Sequence, residues 1–130
     1  MNGLPKVLVV EDDQDVRDAV GETLEDAGYR VTTAGNGALA LHALQSSDGL
    51  PNLILLDLMM PVMDGEHFLE ELKREPRYDR VPVVLLTADA NAGILAGKRG
   101  VEGALRKPVQ LDDLLSTVER FASDLGRNGL

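Results

Sequence analysis

Val7-Leu8-Val9-Val10, followed without a break by Glu11-Asp12-Asp13, decides how the rest of this sequence is read. Four consecutive apolar residues, three of them β-branched, favour a strand, and the lack of apolar–polar alternation means that both faces of that strand are covered. Cover on both faces marks a parallel sheet with helices on either side. Residues 53–56 and 81–86 repeat the nearly uniform apolar pattern, whereas residues 29–33 are more polar and read as a strand nearer the sheet edge. A fifth strand is expected at residues 104–106.

Between these runs the period changes to that of a helix. Val16, Val20, Leu24 and Ala27 recur at helical spacing, with Gly28 where a left-handed C-terminal cap belongs. Leu41 and Leu44 mark a helix after Asn36-Gly37, and Phe68, Leu69 and Leu72 mark another that Pro76 closes. Leu111, Leu114, Leu115, Val118 and Phe121 form the last apolar stripe, with Asp112 and Asp113 in its first turn, where acids favour the helix dipole. Strand and helix alternate five times, which implies an α/β fold: a doubly wound, five-stranded parallel sheet with helices on both faces and right-handed crossovers. One domain over residues 1–125 is expected, with residues 126–130 as a loose tail.

Composition narrows the functions open to such a fold. The 130 residues carry 13 Lys+Arg against 22 Asp+Glu, a formal charge of −9, which argues against direct nucleic-acid contact because that rests on a basic footprint. There is no cysteine, so disulfides, thiolate metal sites and cysteine nucleophiles are excluded. No apolar run approaches the ~20 residues of a membrane helix, and nothing resembles an export signal, so no membrane insertion and a cytoplasmic location are expected. Proteins and cations are the expected partners.

All strands of a parallel sheet end on one edge, and ligands bind there. The residues that follow the apolar runs are Glu11-Asp12-Asp13, Asp57, Thr87, and Lys107 with Pro108. Two carboxylates about 4 Å apart repel by roughly 4 kcal/mol at an effective dielectric near 20, so Asp12, Asp13 and Asp57 gathered there call for a cation. An oxygen-only donor set points to Mg²⁺, which takes one or two carboxylates and a phosphoryl oxygen while keeping several waters. Lys107 adds a positive point charge and Thr87 a hydroxyl. Capping could explain the acids one at a time, but caps use one acid per helix and give no reason for a lysine after the fifth strand.

Over essentially its whole length the chain resembles a receiver domain of the bacterial response regulators of two-component systems. The matching strings are Val-Val-Glu-Asp-Asp at 9–13, Leu-Asp-Leu-Met-Met-Pro-Val-Met-Asp-Gly at 56–65, Leu-Thr-Ala at 86–88 and Arg-Lys-Pro at 106–108. The resemblance implies the flavodoxin-like receiver fold, with Asp57 as phosphoacceptor. It implies Mg²⁺ held by Asp12, Asp13, Asp57 and the backbone carbonyl of Met59, and Thr87 and Lys107 on the phosphoryl group. It also matches Pro61 and Gly65 to the turn after the acceptor, makes the Lys107-Pro108 bond cis, and assigns Met59 and Asp89 an influence on hydrolysis of the acyl phosphate. The implied partners are a sensor histidine kinase or histidine phosphotransfer protein and a downstream protein target. With no output domain after Leu130, a stand-alone regulator that signals by protein contact is expected, and not an enzyme acting on free substrates.

Two departures from the family pattern stand out. The aromatic residue usual three positions before the lysine is Ala104, and the stretch from Thr87 to Lys107 is short and contains Gly93, Gly97, Gly100 and Gly103. A fourth helix over residues 90–99 is therefore expected to be short or mobile, since each interior glycine costs about 1 kcal/mol relative to alanine. His42 and His67 read as solvated helix residues.

Three competing readings are weaker. Gly35-Asn36-Gly37-Ala38-Leu39-Ala40 fits a dinucleotide-binding fingerprint, but it would sit on the second strand and its acid, Asp57, already belongs to the carboxylate group. The stretch from Gly93 to Arg99 is one residue short of a phosphate loop and ends in Arg99 where a Ser or Thr is required. A Mg²⁺-dependent phosphatase would need an enclosure for its substrate that this chain lacks. The remaining alternative is a receiver-like binding module that works without phosphorylation.

Overall fold

The computed structural model describes residues 5–46, 49–58, 65–88 and 101–128. In chain order these form β1 (Lys6–Val10), α1 (Gln14–Asp26), β2 (Arg30–Ala34), α2 (Gly37–Ser46), β3 (Leu53–Asp57), α3 (Gly65–Arg74), β4 (Val83–Thr87), β5 (Val101–Arg106) and α4 (Leu111–Asn128). All strand pairings are parallel and the order across the sheet is β2-β1-β3-β4-β5. The expected doubly wound sheet is thus present, with the more polar β2 at one edge.

Alternate residues of the central strands face opposite sides. Leu8, Val10, Ile54, Leu56, Val83 and Leu85 pack with Ala40, Leu44, Phe68 and Leu72 of α2 and α3. Val7, Val9, Leu53, Leu55, Val84 and Leu86 pack with Val20, Leu24, Leu114 and Val118 of α1 and α4. Uniform apolarity along β1, β3 and β4 is the consequence of serving two cores at once.

The strand boundaries shift slightly from expectation. Proline has no amide to donate, and β4 begins at Val83, after Pro82, whose carbonyl accepts from the Ile54 amide at 3.0 Å. β5 begins at Val101, earlier than the apolar residues announce, because an edge strand with Glu102, Gly103 and Ala104 has little to bury, and its pairing is irregular opposite Val83 and Val84. At the other end, α4 continues through Gly126 to Asn128, so the segment expected to leave the fold at residue 126 is helical for three more residues. The helix expected over residues 90–99 lies outside the described residues, as do Met59, Pro61 and Asp89.

Two local features fix the loops near the strand ends. Gly28, with φ of 100°, turns the chain after α1 in a conformation that L side chains rarely adopt. At the start of α3, Gly65 donates its amide to the Leu58 carbonyl at 3.0 Å, and a Cβ there would lie 2.6 Å from Leu58 Cα and 2.7 Å from the Asp57 carbonyl oxygen. Only glycine lets α3 begin this close to the end of β3. Gly65→Ala should lower the unfolding free energy by about 1–3 kcal/mol, read by urea denaturation. Gly49→Ala, where a Cβ would meet nothing within 4 Å, is expected to be close to neutral.

Candidate functional site

The carboxyl ends of β1, β3, β4 and β5 converge on one edge of the sheet. Asp57 is the last residue of β3 and Thr87 the last of β4, both buried. Leu86 is the register partner of Asp57, and Thr87 that of Arg106, which places Lys107 one step beyond. The Lys107 amide donates to the Thr87 carbonyl at 2.8 Å, and the Lys107-Pro108 bond is cis, as expected.

Glu11, Asp12 and Asp57 each offer a carboxylate oxygen, and these oxygens lie within 4.8 Å of one another. Glu11 and Asp57 are buried while Asp12 is exposed at the mouth of the group. The Lys107 ammonium approaches Glu11 Oε1 at 2.6 Å and Asp57 Oδ2 at 3.4 Å. Glu11 Oε2 accepts from the Asp13 amide at 3.1 Å, and buried Oε1 faces the ammonium.

One ammonium faces three acids. Isolated buried carboxylates are costly, so the arrangement leaves negative charge for a further cation to offset. The donors are all oxygens, and oxygen-only groups suit hard cations. Burial works against ionisation of Asp12, but a hydrogen bond from its own backbone amide and the charge of Lys107 favour the charged form, and the carboxyl is held below its usual value. For Lys107, burial acts downward, yet the hydrogen bond and charge of Glu11, followed by Asp57, push its pKa above the ordinary 10.5. A raised lysine pKa contributes stability in full below 10.5 and loses it only as pH climbs through the raised value, so Lys107 stays charged throughout the neutral range.

Asp13 is not part of this group. Its exposed carboxylate caps α1 instead, Oδ1 accepting from the amides of Asp15 at 2.9 Å and Val16 at 3.2 Å. The expected pair of Asp12 and Asp13 is therefore replaced by Glu11 and Asp12. A signal for this lay in the spacing: of three acids between a strand and a helix, the one just before the first helical residue occupies the N-cap. Met59, whose carbonyl was expected to join the group, lies outside the described residues. His42 and His67 are exposed on α2 and α3, and Ala104 is exposed on β5.

The model of the response regulator receiver domain matches residues 7–119. The chain belongs to that family. Its fold is the flavodoxin-like one of receiver domains, and it shares that architecture with solved structures at appreciable identity. Chemotaxis response regulator CheY4 of Vibrio cholerae is 36% identical, with a TM-score of 0.82, over 91% of this chain and 98% of that one. The receiver domain of sensor histidine kinase PA1611 of Pseudomonas aeruginosa, solved with a magnesium ion coordinated in its active-site cleft, is 28% identical with a TM-score of 0.81, over 92% and 98%. Among curated proteins, the DNA-binding transcriptional regulator NtrC of Escherichia coli is 38% identical over 119 residues, 90% of this chain and 24% of NtrC. The chain thus spans about a quarter of the length of that relative. No helix among the described residues of this receiver domain is long and apolar enough to cross a membrane.

The division of labour among the three acids is open to a direct check. Asp13→Ala should lower stability by about 1 kcal/mol through loss of the cap and leave Mg²⁺ affinity nearly unchanged in a calorimetric titration. Asp12→Asn should do the reverse, weakening Mg²⁺ binding with little effect on the thermal midpoint.

Proposed function

We propose that this receiver domain accepts a phosphoryl group on Asp57 from a phosphohistidine of a sensor histidine kinase or histidine phosphotransfer protein, in a Mg²⁺-dependent reaction. The observation that carries the reading is the buried Asp57 carboxylate grouped with Glu11 and Asp12 and faced by the Lys107 ammonium at 3.4 Å. The receiver domain of PA1611, with magnesium in the same kind of cleft, supports the choice of ion, and its place in a sensor histidine kinase supports the choice of partner.

Glu11, Asp12 and Asp57 are the side chains that would hold Mg²⁺, together with the Met59 carbonyl that the family pattern assigns. When bound, the ion supplies positive charge beside the oxygens of the transferring group. Asp57 acts as nucleophile: an Oδ atom bonds to phosphorus, the P–N bond to the donor imidazole breaks, and the electron pair leaves with the imidazole, which takes up a proton. Lys107 moves its attraction from the two buried carboxylates toward the developing phosphoryl charge, and the Thr87 hydroxyl is the donor for a phosphoryl oxygen. Hydrolysis of the acyl phosphate later restores Asp57. The domain catalyses only these changes on itself and is not an enzyme for free substrates.

The signal then leaves by protein contact. The added charge biases a two-state arrangement of the loops at the strand ends. Because Ala104 has no ring, an aromatic side chain at that position cannot report the movement of Thr87.

Incubation with Mg²⁺ and a small acyl-phosphate donor, followed by intact mass, tests the assignment. One phosphoryl group should appear on the wild type and none on Asp57→Asn, whose melting should remain cooperative. Equal labelling of both would place the acceptor elsewhere, and no labelling of either, where a control receiver is labelled, would favour a binding module that works unphosphorylated. Lys107→Ala is expected to slow labelling at least tenfold, about 1.4 kcal/mol of barrier, while binding Mg²⁺ no less tightly, because it removes a cation from among the acids.

A further inference from the structure

Arg17 stands on α1 one turn beyond the cap, and its guanidinium turns back onto the loop that carries the acids. Its Nη1 donates to the Glu11 carbonyl at 2.9 Å and reaches the Asp12 carbonyl at 3.5 Å. The same nitrogen passes close to the loop after β2, where a Cβ on Gly35 would lie 3.2 Å from it. The Glu11 amide meanwhile donates to the Ala34 carbonyl at 3.0 Å. The backbone of Glu11 is therefore held from both ends, by Ala34 at its amide and by Arg17 at its carbonyl.

We propose that Arg17 is a positioning residue for the metal-binding acids, fixing the backbone from which Glu11 and Asp12 project, and that Gly35 keeps open the space its guanidinium occupies. The inference rests on the metal reading above and extends it to residues that touch no ligand. A charged donor on a carbonyl makes a stronger bond than a neutral one, and the two N–H groups of a single Nη1 can point at two successive carbonyls. Groups that orient metal ligands from behind commonly matter for affinity as much as some ligands do. Gly35, which in sequence belongs to a spurious dinucleotide fingerprint, thereby acquires a steric reason.

Charge and position act in opposite directions here, which makes the role separable. Removing a cation from beside an acidic group strengthens that group's hold on another cation, so a loss of Mg²⁺ affinity in Arg17→Met reports lost positioning and not lost charge. Gly35→Ala changes no charge and leaves Arg17 in place, pressing only on its guanidinium.

The test is calorimetric titration of Mg²⁺ into wild type, Arg17→Met, Arg17→Lys, Gly35→Ala and the Arg17→Met/Gly35→Ala double variant, each with a thermal melt. Arg17→Met should weaken Mg²⁺ binding by about tenfold, and Arg17→Lys should recover part of the loss. Gly35→Ala should weaken binding by a smaller factor and add nothing to Arg17→Met. Unchanged or tighter binding by a folded Arg17→Met overturns the proposal, as does an equal effect of Gly35→Ala with and without Arg17. If Arg17→Met does not fold, Gly35→Ala decides, since unchanged affinity there removes the proposed contact from the argument. A wild type that binds no Mg²⁺ would instead overturn the metal reading, and this inference with it.

Discussion

Two buried carboxylates, Glu11 and Asp57, sharing one ammonium is the constraint on which the site depends. Buried charges persist only when paired, and here the pairing is incomplete once Asp12 is counted. An apolar replacement of Lys107 would remove the ammonium that Glu11 and Asp57 share, and an apolar replacement of the acids would remove the oxygens that could bind a cation. That surplus of negative charge is what a further cation would offset.

The rest of the fold can be read as the means of holding those groups together. β1, β3, β4 and β5 deliver Glu11, Asp57, Thr87 and Lys107 to one edge because parallel strands all end on the same side. The two cores on either face of the sheet fix the register, since a slip of one residue would exchange Leu8 and Val10 with Val7 and Val9. Close contacts then set the loops: Gly65 lets α3 start against Leu58, Asp13 caps α1, and Arg17 holds the carbonyls behind the acids. Site geometry and fold stability therefore share residues, but in separable ways, with Asp13 serving the helix and Asp12 serving the site.

Much of this was legible in the chain. The uniformly apolar runs at residues 7–10 and 53–56 announced strands covered on both faces, and the helical stripe of Val16, Val20 and Leu24 announced one of the covering layers. Both follow from local periodicity, which a sequence displays directly. β5 was only half visible, because an edge strand with Glu102, Gly103 and Ala104 has no apolar run to display. The reach of α4 past Gly126 was not legible either, since a single glycine reads equally as an end or an interruption.

The sequence by itself determined the sheet, its helical layers and the presence of acids, a threonine and a lysine at the strand ends, because these depend on residue order and on the rule that parallel strands share an exit. Only the tertiary structure decided which acids act together. Asp12 and Asp13 are neighbours in sequence, yet one caps a helix and the other faces Asp57, while Glu11 turns inward to Lys107 from almost a hundred residues away. The direction in which a side chain leaves the end of a strand depends on the backbone of the loop. That backbone is set by Ala34 and Arg17, partners that no local pattern in residues 11–13 announces.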